Sequence, residues 1–332
     1  MATVKQVRLG DNSVYLVKDG AESVLVDTGP DFRGARETLS STLAGTAPVL
    51  VLATHGHLDH AGLGKWWQEE RQVPIALGAH DAHLARAPQL ADAAEFDAFR
   101  RWVQICGAPD EVQAEVIHGL ELRREWAAAA AKPGDHPVMG RDTRWTTGLK
   151  YEHFEPKQLL SGDTALPAGL RALLLPGHTP GNAVAIHEGE GWLFSGDQLL
   201  PEITPIPAIQ ARHAGGDGDW RFRSLPAFVA ALKRLQGMRF SRCFPGHGDP
   251  FDDVAAVLAA NVSQIEERTE KAGRALARLG RATVYQLSEE LYPRALQRRF
   301  WQIVSTIQGH LDLLEALGRA RFSDGTYEPS RG

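Results

Sequence analysis

A chain of 332 residues, 43% hydrophobic and 23% charged, has the composition of an ordinary globular protein, which excludes a disordered or fibrous polypeptide. Its length predicts one large domain and a smaller companion, because single cores stop growing at about 250 to 300 residues. A net charge of −5 argues against a chain whose main task is to coat nucleic acid, which needs a clustered cationic face.

The opening stretch MATVKQVRLGDNS carries charges every few positions and lacks an apolar h-region. No run of about 18 apolar residues follows, so neither a secretion signal nor a membrane span is expected. Two cysteines, Cys106 and Cys243, without C-x-x-C spacing, exclude a disulfide framework and predict a reducing, cytoplasmic location. Short β-rich runs at Val14 to Val17, Ser23 to Asp27, Val49 to Ala53 and Ile75 to Leu77 are parted by Gly, Asp and Pro. Helical periodicity predicts a helix over Ala61 to Arg71, then a long Ala-, Glu- and Arg-rich stretch over Ala91 to Cys106 and Asp110 to Ala130. That stretch, at about 90–130, reads as an insertion. Strand signals return at Leu170 to Leu175, Ala183 to His187, Trp192 to Ser195 and Arg239 to Phe244. Strands alternating with helices predict a layered α/β domain. Between the last two strands, a Pro- and Gly-rich segment reads as a surface loop and is followed by an amphipathic helix, Ser224 to Leu235.

From Val254 the pattern is helix upon helix, with Val254, Val257, Leu258, Val262 and Ile265 at helical spacing. Thr283-Val-Tyr-Gln286 is a capping-box pattern opening a short helix that Pro293 stops. A third helix places Phe300, Val304, Ile307, Leu311 and Leu314 on one stripe and ends at Gly318, and Ala320 to Tyr327 reads as a hairpin. Three helices and a hairpin resemble a winged helix, so the expected domains are 1–252 and 253–332.

The chemistry concentrates in Thr54-His-Gly-His-Leu-Asp-His60, directly after a hydrophobic run. A turn at a strand end can aim His55 and His57 at one ion while Asp59 and His60 reach a neighbour. Imidazole and carboxylate suit zinc, iron or manganese, and the absence of cysteine favours a catalytic over a closed structural site. Three later fragments repeat the placement of a ligand-type residue after a likely strand end: Pro-Gly-His178, Ser-Gly-Asp197 and Pro-Gly-His247. Singly each reads as a surface turn. As an ordered set with the first motif they are specific.

These motifs resemble those of the metallo-β-lactamase superfamily, over roughly residues 4 to 252, and the C-terminal pattern resembles the subgroup with an appended winged helix. The resemblance implies a four-layer αββα sandwich carrying the helical insertion. It implies two divalent ions, with zinc expected and iron or manganese as alternatives. His55, His57 and His178 would bind one, Asp59, His60 and His247 the other, and Asp197 would bridge both. Asp27, in Val-Asp-Thr-Gly, would support the metal loops from behind. Asp59 and Asp197 are the candidate catalytic residues, and His213 is a candidate substrate contact. His80, His83, His118, His136, His153, His187 and His310 read as structural or solvated, Trp66 and Trp67 as core or pocket wall, and Arg294, Arg298 and Arg299 as a solvated face.

The expected function is a binuclear hydrolase in which metal-bound hydroxide attacks an ester, thioester or lactone of a small molecule. No G-x-S-x-G elbow competes with it. An endoribonuclease or phosphodiesterase acting on RNA is the alternative within enzymes, and a winged-helix DNA-binding metal sensor the alternative outside them. A homodimer is compatible with the apolar C-terminal stripes, and no membrane partner is expected.

Overall fold

The computed structural model describes residues 1–87, 89–130, 151–202, 207, 209–212 and 220–330. Its first sheet runs in the order β1 (Thr3–Leu9), β2 (Asn12–Asp19), β3 (Glu22–Val26), β4 (Leu50–Leu52), β5 (Ile75–Gly78), β6 (Gln158–Leu160). The first three strands are antiparallel meanders and the last four pair in parallel. The second sheet has β7 (Thr164–Ala165), β8 (Leu170–Leu174), β9 (Ala183–His187), β10 (Trp192–Gly196) and β11 (Arg242–Pro245), antiparallel except for the parallel pair of β10 with β11.

Alternation along the strands builds the layers, because successive side chains point to opposite faces. On the first sheet Val14, Leu16, Leu25, Val51, Ile75 and Leu77 face outward onto α1 (Ala35–Thr42), which buries Ala35 and Leu39. Their neighbours Tyr15, Val17, Val24, Val26, Leu50 and Leu52 face inward against Ala172, Ala183, Ala185, Phe194 and Phe244 of the second sheet. The far face of that sheet, with Val184, Ile186, Leu193 and Cys243, packs on α5 (Ser224–Gln236) and the start of α6 (Val254–Leu279). These three interfaces make the αββα sandwich.

A fourth core lies outside the sandwich. The insertion forms α3 (Ala93–Ile105) and α4 (Asp110–Ala130), and Phe96, Trp102, Val103 and Leu120 pack with α7 (Val284–Leu291), α8 (Phe300–Ala316) and the hairpin of β12 (Ala320–Ser323) and β13 (Thr326–Pro329). The insertion thus shares its core with the C-terminal helices. Helix α6 belongs to both cores: Val254, Leu258, Val262 and Ile265 lie on the sandwich, while Ala272, Ala275 and Leu276 lie in the helical core. Thr283 and Gln286 close the expected capping box.

Beyond the short strands β6 and β7, which the sequence reading does not mark, two elements depart from it. The helix expected over Ala61 to Arg71 begins inside the motif as α2 (Leu58–Ala61), is interrupted at Gly62, and resumes into a wide turn over Trp66–Glu70. Close packing requires the glycine at that point, since a Cβ on Gly62 would lie 3.1 Å from the Asp31 amide nitrogen. Both tryptophans are buried, and Trp67 Nε1 donates to the Thr28 carbonyl at 3.1 Å. Strand β1 carries no apolar run because it is a largely exposed edge with Lys5, Gln6 and Arg8 along it.

A buried polar network fastens α8 to the segment just before α5. Arg221 donates to both oxygens of Asp312 at 2.6 Å, Gln308 Nε2 donates to Asp312 and to the Tyr327 hydroxyl, and Trp102 Nε1 donates to Gln308 at 3.1 Å. Removing one member of a buried ion pair strands the other charge. Asp312→Ala is therefore expected to lower unfolding free energy by about 3 to 5 kcal/mol, read from the urea midpoint. Asp249→Ala, which removes the partner of half-exposed Arg8 at the surface, should shift the midpoint little.

Candidate metal centre

Six strands end on one rim. Asp27 follows β3, the His55 to His60 motif follows β4, and His178, Asp197 and His247 follow β8, β10 and β11. Asp81 follows β5. The rim is sewn across the sandwich where the Thr54 carbonyl accepts the Ala183 amide at 2.7 Å.

The seven residues singled out as ligands converge. His57 Nδ1 lies 3.1 Å from both His55 Nε2 and His178 Nε2. His247 Nε2 lies 3.4 Å from His60 Nε2 and 3.4 Å from Asp59 Oδ2. Asp197 sits between the groups: Oδ2 is 3.5 Å from His178 Nε2, and Oδ1 is 3.3 Å from His60 Nε2 and 3.5 Å from His247 Nε2. Three sets of donor atoms each fit within 4.8 Å: His55, His57, His178; His55, His60, Asp197; and Asp59, His60, His247. His55, His60 and Asp197 form a buried floor, while Asp59 and His247 stand at a partly open mouth.

The outer nitrogens decide which lone pairs face inward. His60 Nδ1 lies 2.8 Å from Asp27 Oδ2, and His247 Nδ1 lies 3.2 Å from the Asp11 carbonyl. Both partners are acceptors, so each Nδ1 carries a proton, and each ring in its neutral form presents the Nε2 lone pair to the centre. Nε2 of His60 and of His247 faces Asp59 and Asp197 oxygens, a position that either a proton on each ring or a cation can fill, and Asp197 Oδ1 is buried without a hydrogen-bond donor. The donor set of imidazoles and carboxylates fits a divalent metal.

Electrostatics agree with that fit. Burial opposes charge on Asp59 and Asp197, yet His60 and His247 hold both carboxyls below their ordinary range. Burial likewise opposes protonation of His60 and His247, and the facing carboxylates outweigh it, raising His60 well above its usual value and His247 to about 10. His55 and His178 have weaker carboxylate support: burial lowers His55 well below its usual value and His178 to about 3. Protons on His60 and His247 thus balance charge where an ion would bind.

Asp27 adopts φ 65°, a left-handed conformation uncommon for a non-glycine residue. Its Oδ1 accepts the Thr54 amide at 2.7 Å while Oδ2 meets His60. Among the described residues, three that the motifs do not mark touch the centre or the loops that carry it. Asn12 Nδ2 lies 3.3 Å from Asp59 Oδ2 and from His60 Nε2. Gln198 Oε1 accepts the His178 amide at 3.4 Å. Asp81, fully buried, accepts from Gly56, Thr179 and Gly181. Its only sequence signal is a place among Gly-Ala-His-Asp-Ala-His, where the histidines stand out; His80 is exposed and His83 pairs with buried Glu95 at 3.0 Å. His118 and His153 are exposed, and His187 and His310 are buried outside the centre, His310 against Thr269. His136 and the candidate substrate contact His213 lie outside the described residues.

The sequence model of the metallo-beta-lactamase superfamily matches residues 7–247. A probable metallo-hydrolase of Bacillus subtilis (strain 168), YqjP, is 28% identical over 314 residues, covering 93% of this chain and 89% of its own length. An atrochrysone carboxyl ACP thioesterase of Aspergillus fumigatus is 23% identical over 80% of this chain, which spans 44% of that protein's length. Among solved structures, a metallo-beta-lactamase family protein of Thermus thermophilus superposes with a TM-score of 0.68 at 24% identity, covering 100% of this chain and 98% of that one.

The tightness of the rim is testable through Gly246. A Cβ there would fall 2.6 Å from His60 Cε1 and 2.8 Å from Asp197 Oδ1. Its backbone cannot retreat, because its amide donates to Gly196 and its carbonyl accepts from Ser13. Gly246→Ala is expected to destabilise the metal-free protein by about 1 to 3 kcal/mol through overpacking. Gly119→Ala, on α4 with nothing within 4 Å of its Cβ position, should instead stabilise by about 0.5 to 1 kcal/mol in the same melts.

Proposed function

We propose that this chain, which belongs to the metallo-beta-lactamase superfamily and is a metal-dependent hydrolase, uses a two-ion centre to cleave thioesters, with esters and lactones as related substrates. The observation that carries the two-ion reading is Asp197, whose two oxygens face different histidine groups, His178 on one side and His60 with His247 on the other. His55, His57 and His178 would hold one ion, Asp59, His60 and His247 the second, and Asp197 both. Two divalent ions supply a nucleophile from water near neutral pH and polarise the scissile carbonyl. Nitrogen and oxygen donors without thiolate suit zinc, iron or manganese, with zinc the first choice.

The chain's own residues divide the remaining work. Asp27 fixes the His60 ring through Nδ1, and the Asp11 carbonyl does the same for His247. The buried floor of His55, His60 and Asp197 keeps bulk water to one side, while Asp59, at the open mouth, stands where substrate enters. A thioester suits such a mouth because its leaving thiolate has a conjugate acid of pKa about 8.5, so departure makes little demand on a general acid. The thioesterases among the relatives support the same substrate class.

Elemental analysis of protein loaded with excess zinc is expected to give two ions per chain, and chelation to abolish turnover; a ceiling of one ion would refute the two-ion reading. Asp197→Ala should remove activity even with metal restored in excess. Asp27→Ala, acting through His60, should lose about 10- to 100-fold and recover in part with added metal. Substrate class is decided by screening the metal-loaded protein against thioesters, esters, lactones, phosphodiesters and short RNAs. Preference for the last two would overturn the thioester assignment.

A further inference from the structure

The two halves of the centre are braced by different carboxylates. Asp27 reaches His60 directly. Asp81 touches no ligand side chain; it holds backbone and hydroxyl groups of the two loops that deliver His57 and His178. Its Oδ2 accepts the amide of Gly56, between His55 and His57, at 3.0 Å and the hydroxyl of Thr179, next to His178, at 2.6 Å. Its Oδ1 accepts the amide of Gly181 at 2.7 Å. All three donors converge on a side chain with no exposed surface.

The surrounding backbone leaves this arrangement no slack. A Cβ on Gly78 would fall 1.8 Å from the Gly181 carbonyl oxygen, and one on Gly181 would fall 2.6 Å from the Asp81 nitrogen. The turn after β5 and the loop between β8 and β9 therefore pack main chain against main chain. His57 and His178, brought by loops from opposite sheets, approach to 3.1 Å beside this contact.

We infer that Asp81 is a positioning residue for one half of the centre: it sets the spacing of the His57 and His178 loops, and so governs divalent-ion affinity of the His55, His57, His178 group but not of the Asp59, His60, His247 group. The assignment rests on the two-ion reading above. A carboxylate is required because both its oxygens accept. An amide at this position would turn its NH2 toward at least one N–H or O–H donor, leaving buried donors facing each other.

The test is calorimetric titration of zinc into metal-stripped full-length protein, with wild-type chain as reference. Asp81→Asn is expected to weaken one of two binding events by about 10- to 100-fold and leave the other unchanged. In a His178→Ala background the same substitution should add nothing, whereas in a His247→Ala background it should keep its full effect. Thr179→Val removes one donor while preserving shape; it should weaken the same event to a smaller degree, Thr179→Ser should restore it, and this pair decides the matter if Asp81→Asn does not fold. Equal weakening of both events, an unchanged titration in folded variants, or an Asp81→Asn effect that persists without His178 would each overturn the assignment. A wild-type chain that takes up a single ion refutes the two-ion reading itself, and the assignment falls with it, a failure seen in the reference rather than in the variants.

Discussion

Thr54 ends the hydrophobic run of β4 and, at the same residue, crosses the sandwich: its carbonyl takes the amide of Ala183, the first residue of β9. That hydrogen bond, with those of Ser13 to Gly246 and Tyr15 to Pro245, joins the rims of the two sheets. The centre depends on this joining of the rims, because His55, His57, Asp59 and His60 come from one sheet and His178, Asp197 and His247 from the other. Parallel strand direction does the rest, delivering β3, β4 and β5 to one edge and β8, β10 and β11 to the facing edge. Short loops after four strand ends, β4, β8, β10 and β11, hold the donors, and those after β3 and β5 hold Asp27 and Asp81 behind them.

What is legible in the sequence follows from how local each signal is. His55, His57, Asp59 and His60 declare themselves within six residues, and the strand that carries them reads as a continuous apolar run because it sits between two apolar layers. His178, Asp197 and His247 are readable only as a series, each after a Gly-containing turn. Asp81 and Asn12 are not readable, since their roles exist only once distant segments meet: Asp81 binds Thr179 and Gly181, 98 and 100 residues away. Strand β1 escapes for a simpler reason, because an exposed edge has no need of an apolar face. The helices of the insertion are recognisable from their periodicity, but periodicity does not say which core receives the stripe.

Charge and burial act together at the centre. Removing seven ionisable side chains largely from water is unfavourable unless their charges cancel, and the protein achieves this by opposing two carboxylates to His60 and His247. His55 and His178, left near-neutral by burial, present lone pairs without competing protons. Loading such a centre releases protons from the carboxylate side chiefly. The asymmetry between the halves is therefore electrostatic as well as structural, with a separate buried aspartate behind each.

The helical core that unites α3 and α4 with α7, α8 and the final hairpin has a consequence for the order in which the protein is made. Phe96, Trp102 and Leu120 leave the ribosome well before Val304, Ile307, Leu311 and Tyr327, which complete their environment. Contacts of such sequence separation form late and carry a large closure entropy. The sandwich strands can pair as they emerge, but the insertion must wait with Trp102 uncovered until roughly the last 60 residues arrive, a delay inherent in chain-order synthesis. During that interval the nascent chain carries an adhesive surface that the finished molecule hides, and a truncated product would carry it permanently.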